Sequence, residues 1–247
     1  MEINYTDISK TYDNYRSYPD SLIKRFMALG RISAGKKVLD LGCGTGNVAW
    51  QIKNNIDADL VGIDVSPDML QVAKSKSLEV VCTDIDNQQL PFRDNSFDAI
   101  VGAYFLHQIK NLNFLLSECY RVLCHGALVF LTSSHKQIED QHPIIKNFFP
   151  SYVAIDKGRF PDIYKIDHML DSIGFKAIKH EEVAVENIPI DNEYLHRVKS
   201  RYVSTYHLMS PDEFENGVKQ LEAFIMNSKQ PEFRDWHGTI ISGLKTA

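Results

Sequence analysis

The chain has no long apolar run, no surplus of basic residues, no paired cysteine motif and no low-complexity stretch, and each absence removes a class of protein. Nowhere do about 18 apolar residues follow one another, the length a membrane helix needs. Met1-Glu2-Ile3-Asn4 opens with neither a basic start nor an apolar core, so a soluble, cytoplasmic protein is expected. Lys and Arg number 27 against 32 Asp and Glu, for a formal charge of −5. They are scattered, so the basic footprint of a nucleic-acid or anionic-membrane binder is missing. The cysteines at 43, 82, 119 and 124 form no C-x-x-C pair. Cys43, Cys82 and Cys119 sit in apolar or glycine-loop settings and read as reduced, buried packing residues. His135, His142 and His168 lack acidic or cysteine companions at ligand intervals, so no metal is expected. No repeat or linker divides the 247 residues, a length that suits one α/β domain with decorations.

What is present centres on Val38-Leu39-Asp40-Leu41-Gly42-Cys43-Gly44-Thr45-Gly46-Asn47. A short apolar strand enters a turn with glycine at alternate positions, and Val48, Ile52 and Ile56 then follow helical spacing. Such a loop leaves backbone amides open to a small polar ligand at the helix N-terminus. The dinucleotide fingerprint needs Gly or Ala where Asn47 stands, which tells against a nicotinamide cofactor. Asp59 to Ile63 reads as a second strand ending at Asp64, and Ser66-Pro67 opens a helix with Met69, Leu70 and Ala73 on its inner face. Glu79 to Cys82 and Phe97 to Val101 read as further strands, and a helix carrying Leu112 to Leu123 is expected to end at a turn formed by His125-Gly126. Ala127 to Thr132 is the fifth strand. Gly174 separates a helix over Asp167 to Ile173 from a sixth strand over Phe175 to Val185; residues 187 to 228 look helical and Trp236 to Leu244 supplies a seventh strand. Asp64, roughly 20 residues beyond the glycine loop, can accept hydrogen bonds from both hydroxyls of a ribose.

Asp40-x-Gly42-x-Gly44-x-Gly46 resembles the first motif of the class I S-adenosylmethionine (SAM) dependent methyltransferases. Leu90-Pro91-Phe92, Ser96-Phe97-Asp98 and Phe105-Leu106-His107-Gln108-Ile109 closely resemble the ubiquinone/menaquinone-biosynthesis type of that family. Arg121-Val122-Leu123-Cys124-His125-Gly126-Ala127 is similar to the family's Arg-Val-Leu-x-Pro-Gly-Gly turn, departing from it at Cys124, His125 and Ala127. The resemblance implies an α/β, Rossmann-like sheet of seven strands, mostly parallel with an antiparallel seventh, helices on both faces and helical caps. It implies SAM as methyl donor, S-adenosylhomocysteine as product, and a small-molecule acceptor methylated by in-line displacement.

The resemblance also distributes roles. Gly42, Cys43 and Gly44, with Asp40 at the strand end, would surround the methionine part of SAM. Asp64 would meet the ribose, with Val65 next to it also in the cofactor site, Met69 and Ile85 the adenine ring, and Asp84 the adenine amino group. Tyr12 and Arg16, in Tyr12-Asp13-Asn14-Tyr15-Arg16, would close over the sulfonium and carboxylate as part of a lid spanning about 1–30. Ala103, Tyr104 and His107, beyond the fourth strand, would face the methyl group, with Tyr104 and His107 as the catalytic candidates. A neutral imidazole can take a proton from the acceptor, and His107 is otherwise a helix-start residue that shapes the pocket. One domain over 1–247 is expected, with cap segments near 133–160 and 187–212 walling the acceptor. Arg197 and Arg201 stand either as partners of an acceptor carboxylate or as solvated helix residues. Neither nucleic acid nor a membrane is expected as partner, and the chain is expected to be a monomer or homodimer. The rival functions are an RNA or protein methyltransferase and a non-catalytic SAM-binding regulator.

Overall fold

The computed structural model describes residues 12–15 and 18–246. Among them, β1 (Lys37–Leu41), β2 (Asp59–Asp64), β3 (Glu79–Cys82), β4 (Phe97–Ala103), β5 (Leu123–Thr132), β6 (Lys176–Pro189) and β7 (Phe233–Leu244) form one sheet in the order β3-β2-β1-β4-β5-β7-β6. The first five strands are parallel, and β7 runs antiparallel between β5 and β6. This is the expected sheet, and it follows from the burial of both its faces.

Successive residues of each central strand enter opposite cores. Leu39, Ile63, Ile100, Leu128 and Phe130 join one apolar cluster, and Val38, Leu60, Val101, Val129 and Leu131 join the other. The second face is covered by α2 (Asp20–Leu29) through Leu22, Ile23 and Phe26, and by α3 (Asn47–Asn55) through Val48, Ala49 and Ile52. α1 (Tyr12–Tyr15) precedes them, and Ala73 of α4 (Pro67–Ser75) completes that layer. The first face is covered by α5 (Leu112–Val122), whose Leu112, Leu115, Leu116 and Cys119 recur at helical spacing.

Beyond the strand ends lies a third apolar cluster. α6 (His135–Glu139), α7 (Pro143–Phe148) and α8 (Tyr152–Arg159) follow β5, and α9 (Ile163–Ile173) returns to the first face through Ile163, Ile166 and Leu170. α10 (Asn192–Lys199) and α11 (Pro211–Asn227) follow β6. Phe149, Tyr194, Leu195, Tyr206, Phe214 and Leu221 pack together, so the cap extends past residue 212 into α11.

Several expected boundaries move. β6 starts at Lys176 and runs on to Pro189, taking 187–189 from the expected helical region, and α9 begins four residues before Asp167. Cys82 is exposed rather than buried, because β3 is a sheet edge. The turn expected at His125-Gly126 is absent: α5 stops at Val122 and β5 begins at Leu123. Phe97 pairs with Leu123 and Ala99 with Ala127, so β5 spends extra residues there as a bulge. Gly126 serves close approach, since a Cβ on it would stand 1.9 Å from the Asp98 carbonyl oxygen. Gly126→Ala is expected to push β4 and β5 apart and cost about 1–3 kcal/mol, read as a lowered urea midpoint with an unchanged slope.

Candidate active site

Strand order reverses between β1 and β4, and α/β folds bind ligands beyond the carboxyl ends of the strands at such a point. The glycine loop leaves β1 there, and Tyr104 to His107 leave β4. The loop is held by its neighbour: the Gly44 N–H donates to Asp64 Oδ2 and the Ser66 N–H to Asp64 Oδ1, each at 2.9 Å. One carboxylate thus ties the end of β2 to the middle of the loop after β1. Gly44 has φ +53°, and a Cβ there would find nothing within 4 Å. Its surroundings are open and its conformation suits glycine alone among common residues.

Asp40 is 1% exposed and accepts the Ala49 N–H at 3.2 Å, in the first turn of α3. Burial pushes its carboxyl up to about 7, and the neighbouring Asp64 adds to the rise. Burial likewise raises Asp64 against the pull of its amide donors. Burial, followed by the charges of Asp40 and Asp64, pushes the Cys43 thiol up, which keeps it protonated and unreactive. Two desolvated acids beside an open glycine loop fit a cationic ligand.

Thr45 and Lys76 carry a connection that the glycine spacing does not disclose. Thr45 Oγ1 donates to Asp13 of α1, and Lys76 Nζ pairs with Asp13 at 2.6 Å and donates to Asn47 Oδ1 at 2.7 Å. Asp13 lies inside the Tyr-Asp-x-Tyr-Arg stretch, and its carboxylate docks that stretch on the loop. Tyr12 is half-buried beside it, while Arg16 lies outside the described residues.

The other expected contacts divide. Val65 is 59% exposed and Ala103 half-buried, so both offer surface to a ligand. Ile85 is buried, and Met69, at 2% exposed, is packed inward and offers an adenine little area. Asp84 bonds within its own turn, accepting from Asn87 Nδ2 and the Asp86 N–H, and the first of these holds its carboxyl below the usual range. Gly42 packs on Phe105.

Past β4 the chain opens a cavity of about 410 Å³. Tyr104 stands at its edge with φ +55°, strain worth about 1–3 kcal/mol for a non-glycine residue. Its ring lies 6.5 Å from Phe160 and 6.1 Å from Trp236, and Phe160 stacks on His107 at 4.3 Å and 13°. Tyr104 and His107 therefore share one aromatic wall, brought together by a cap residue. Phe160, Trp236, Asp156, Arg159 and Arg234 line the cavity and were not among the expected site residues, because they come from segments far apart in sequence. Arg197 lines it too; Arg201 does not, and stacks over Phe214 at 3.6 Å. His135 Nε2 meets the Phe160 carbonyl at 2.8 Å and His142 Nδ1 accepts the Ile144 N–H, both structural contacts. Among the described residues no group of three or more His, Cys, Asp or Glu could hold a metal ion, and no helix is long and apolar enough to cross a membrane.

A methyltransferase domain model matches residues 39–131, from the glycine loop to the end of β5. A demethylmenaquinone methyltransferase of Porphyromonas gingivalis is 32% identical over 178 residues, covering 60% of this chain and 71% of that protein. The chain belongs to the SAM-dependent methyltransferase family. A demethylmenaquinone methyltransferase of Tropheryma whipplei is 38% identical over 107 residues, a match spanning 42% of this chain and 44% of that protein's length. In fold the chain is similar to phosphoethanolamine N-methyltransferase 2 of Haemonchus contortus, solved with SAM, at TM-score 0.64 and 17% identity, covering all of this chain (100%) and 61% of that one.

Within this family member the raised acid has a measurable consequence. A carboxyl titrating near 7 when folded and at 3.8 when unfolded binds its proton more tightly in the native state. Its stabilising contribution is complete below about pH 4 and is lost as pH rises through about 7, a change on the order of 4 kcal/mol. Ligand-free Asp40→Asn protein is therefore expected to gain stability relative to wild type between pH 5 and pH 8, read from paired urea titrations.

Proposed function

We propose that the chain transfers a methyl group from SAM to a small-molecule acceptor held in the cavity under the caps. The observation that carries the reading is the Gly44 to Asp64 hydrogen bond, which sets an open glycine loop beside the buried Asp40 and the half-buried Asp64, near the strand end where that cavity begins. When bound, SAM supplies a sulfonium methyl that is already activated for displacement. The chain then has to bind, orient and exclude water, and these tasks suit the residues present.

Asp40 and Asp64 would compensate the positive charge of the donor, and Asp64 would keep lone pairs for the ribose hydroxyls while retaining its two amide donors. Val65 would cover the adenine side, and Asp84 and Ile85 the far edge. Tyr104 and the His107–Phe160 stack would orient the acceptor, and the His107 imidazole would take its proton where the nucleophile carries one. Tyr12 and Arg16 would complete the site from the lid side, with Asp13 as its anchor on Thr45 and Lys76. We place the protein in the cytoplasm as a monomer or homodimer, in keeping with four free cysteines.

Asp64→Ala is expected to weaken SAM binding at least tenfold, about 1.4 kcal/mol, in calorimetry; an unchanged affinity would remove Asp64 from the site. A transfer screen with labelled SAM across metabolites, tRNA and peptides should label small molecules only. With the acceptor so found, His107→Ala should lower turnover at least tenfold and leave SAM affinity within twofold, and a rate unaltered at every pH would dismiss it as the base.

A further inference from the structure

The cavity under the caps is the wrong sign for the protein that contains it. The chain carries a net charge of −5, yet among the described residues three arginines, Arg159, Arg197 and Arg234, line this space against one aspartate, Asp156. Asp156 is already committed: it pairs with Arg159 Nη2 at 2.6 Å and accepts the Thr205 hydroxyl at 2.8 Å. Arg159 also donates to Ser204 and Thr205, which fixes its guanidinium against the cap. Arg197 reaches the exposed Glu193 only at 3.6 Å.

Arg234 is the decisive residue. It is 8% exposed, and its hydrogen bond is given by Nη1 to the Tyr194 hydroxyl at 2.9 Å. Among the described residues no carboxylate lies within ion-pair distance of it. Burial pushes the Tyr152, Tyr194 and Tyr206 hydroxyls up from their ordinary value, so these neighbours stay neutral and leave the guanidinium uncompensated. The Nε–H groups of Arg159, Arg197 and Arg234 are all buried and make no hydrogen bond among the described residues. A buried cation without a counter-charge is costly, and a buried donor left unused adds to that cost. Three guanidinium groups lining one cavity, with its one described aspartate already paired, make a binding site for negative charge, with a fork geometry that suits carboxylate or phosphate oxygens.

We propose that the acceptor is an anion, whose carboxylate or phosphate group is held by Arg234, Arg197 and Arg159 while the rest of the molecule lies against Tyr104 and the His107–Phe160 stack. This rests on the reading of the chain as a small-molecule methyltransferase and names the class of molecule it takes. The aromatic wall accepts an apolar or cationic body, and the arginines select its anionic end.

The test titrates the full chain by calorimetry, first with S-adenosylhomocysteine, then, once saturated, with inorganic phosphate, benzoate and benzyl alcohol. At least one of the two anions should bind and the neutral alcohol should not. Phosphate alone would point to a phosphate ester, benzoate alone to a carboxylic acid, and both to the shared chemistry. Arg234→Gln and Arg197→Gln should each weaken the anion at least tenfold, while Arg201→Gln, outside the cavity, should leave it unchanged. Arg197 is half-buried on a helix, so its variant keeps the test decisive where Arg234→Gln fails to fold. Binding of S-adenosylhomocysteine without either anion, or anion binding that survives both arginine variants, overturns the proposal alone. Anion binding without S-adenosylhomocysteine leaves the arginine site standing and removes the methyltransferase reading instead.

Discussion

The hydrogen bond from the Gly44 amide to Asp64 is the constraint on which the rest of the site depends. A parallel sheet aligns its strands but leaves the loops at their carboxyl ends undetermined. Here a half-buried carboxylate from one strand grips the loop of the next, and its second oxygen receives the Ser66 amide at the start of α4. The arrangement works only if the loop can take positive φ at Gly44 and if both acids remain at the mouth of the sheet. The cost appears in the raised Asp40 and Asp64 carboxyls, which burial holds above their ordinary values. Structures that keep such a cost commonly do so where a ligand relieves it.

The legible part of the fold was that written in local pattern. Val38, Leu39 and Leu41, the run from Phe97 to Val101, and the Ser66-Pro67 helix start each state their element within a few residues, and the sheet follows from them. The turn expected at Gly126 failed because glycine there answers a neighbour, the Asp98 carbonyl, and not a change of chain direction. Cys82 looked like a core residue because its strand is apolar, but only the order of the strands reveals that β3 is an edge.

In the candidate site the same division holds. Gly44 and Asp64 are 20 residues apart, and spacing named both as candidates without disclosing the hydrogen bond between them. Arg234 and Tyr194 are 40 apart, and Arg159 and Thr205 are 46 apart, on elements that meet only when the cap closes on β6 and β7. No periodicity links them. Arg197 was visible as a candidate beside Arg201, yet one lines the cavity from α10 while the other, past the helix end at φ +51°, stacks on Phe214.

The two halves of the site therefore carry opposite charge, and this polarity constrains how two ligands can share it. Carboxylates at the glycine loop favour a cationic donor, while arginines beneath the cap would repel that donor from the acceptor cavity and draw in an anion. Tyr104 stands at the cavity's edge, held in a strained conformation by the hydrogen bond its backbone N–H donates to the Leu131 carbonyl and by rings from β7 and the cap. Strain of this kind persists only where the surroundings over-determine it. With Tyr104 fixed just past β4, the ring proposed to orient the acceptor is set by the same strand end that lies beside the glycine loop, so on that reading donor and acceptor positions would be referred to one rigid sheet and not to the caps that enclose them.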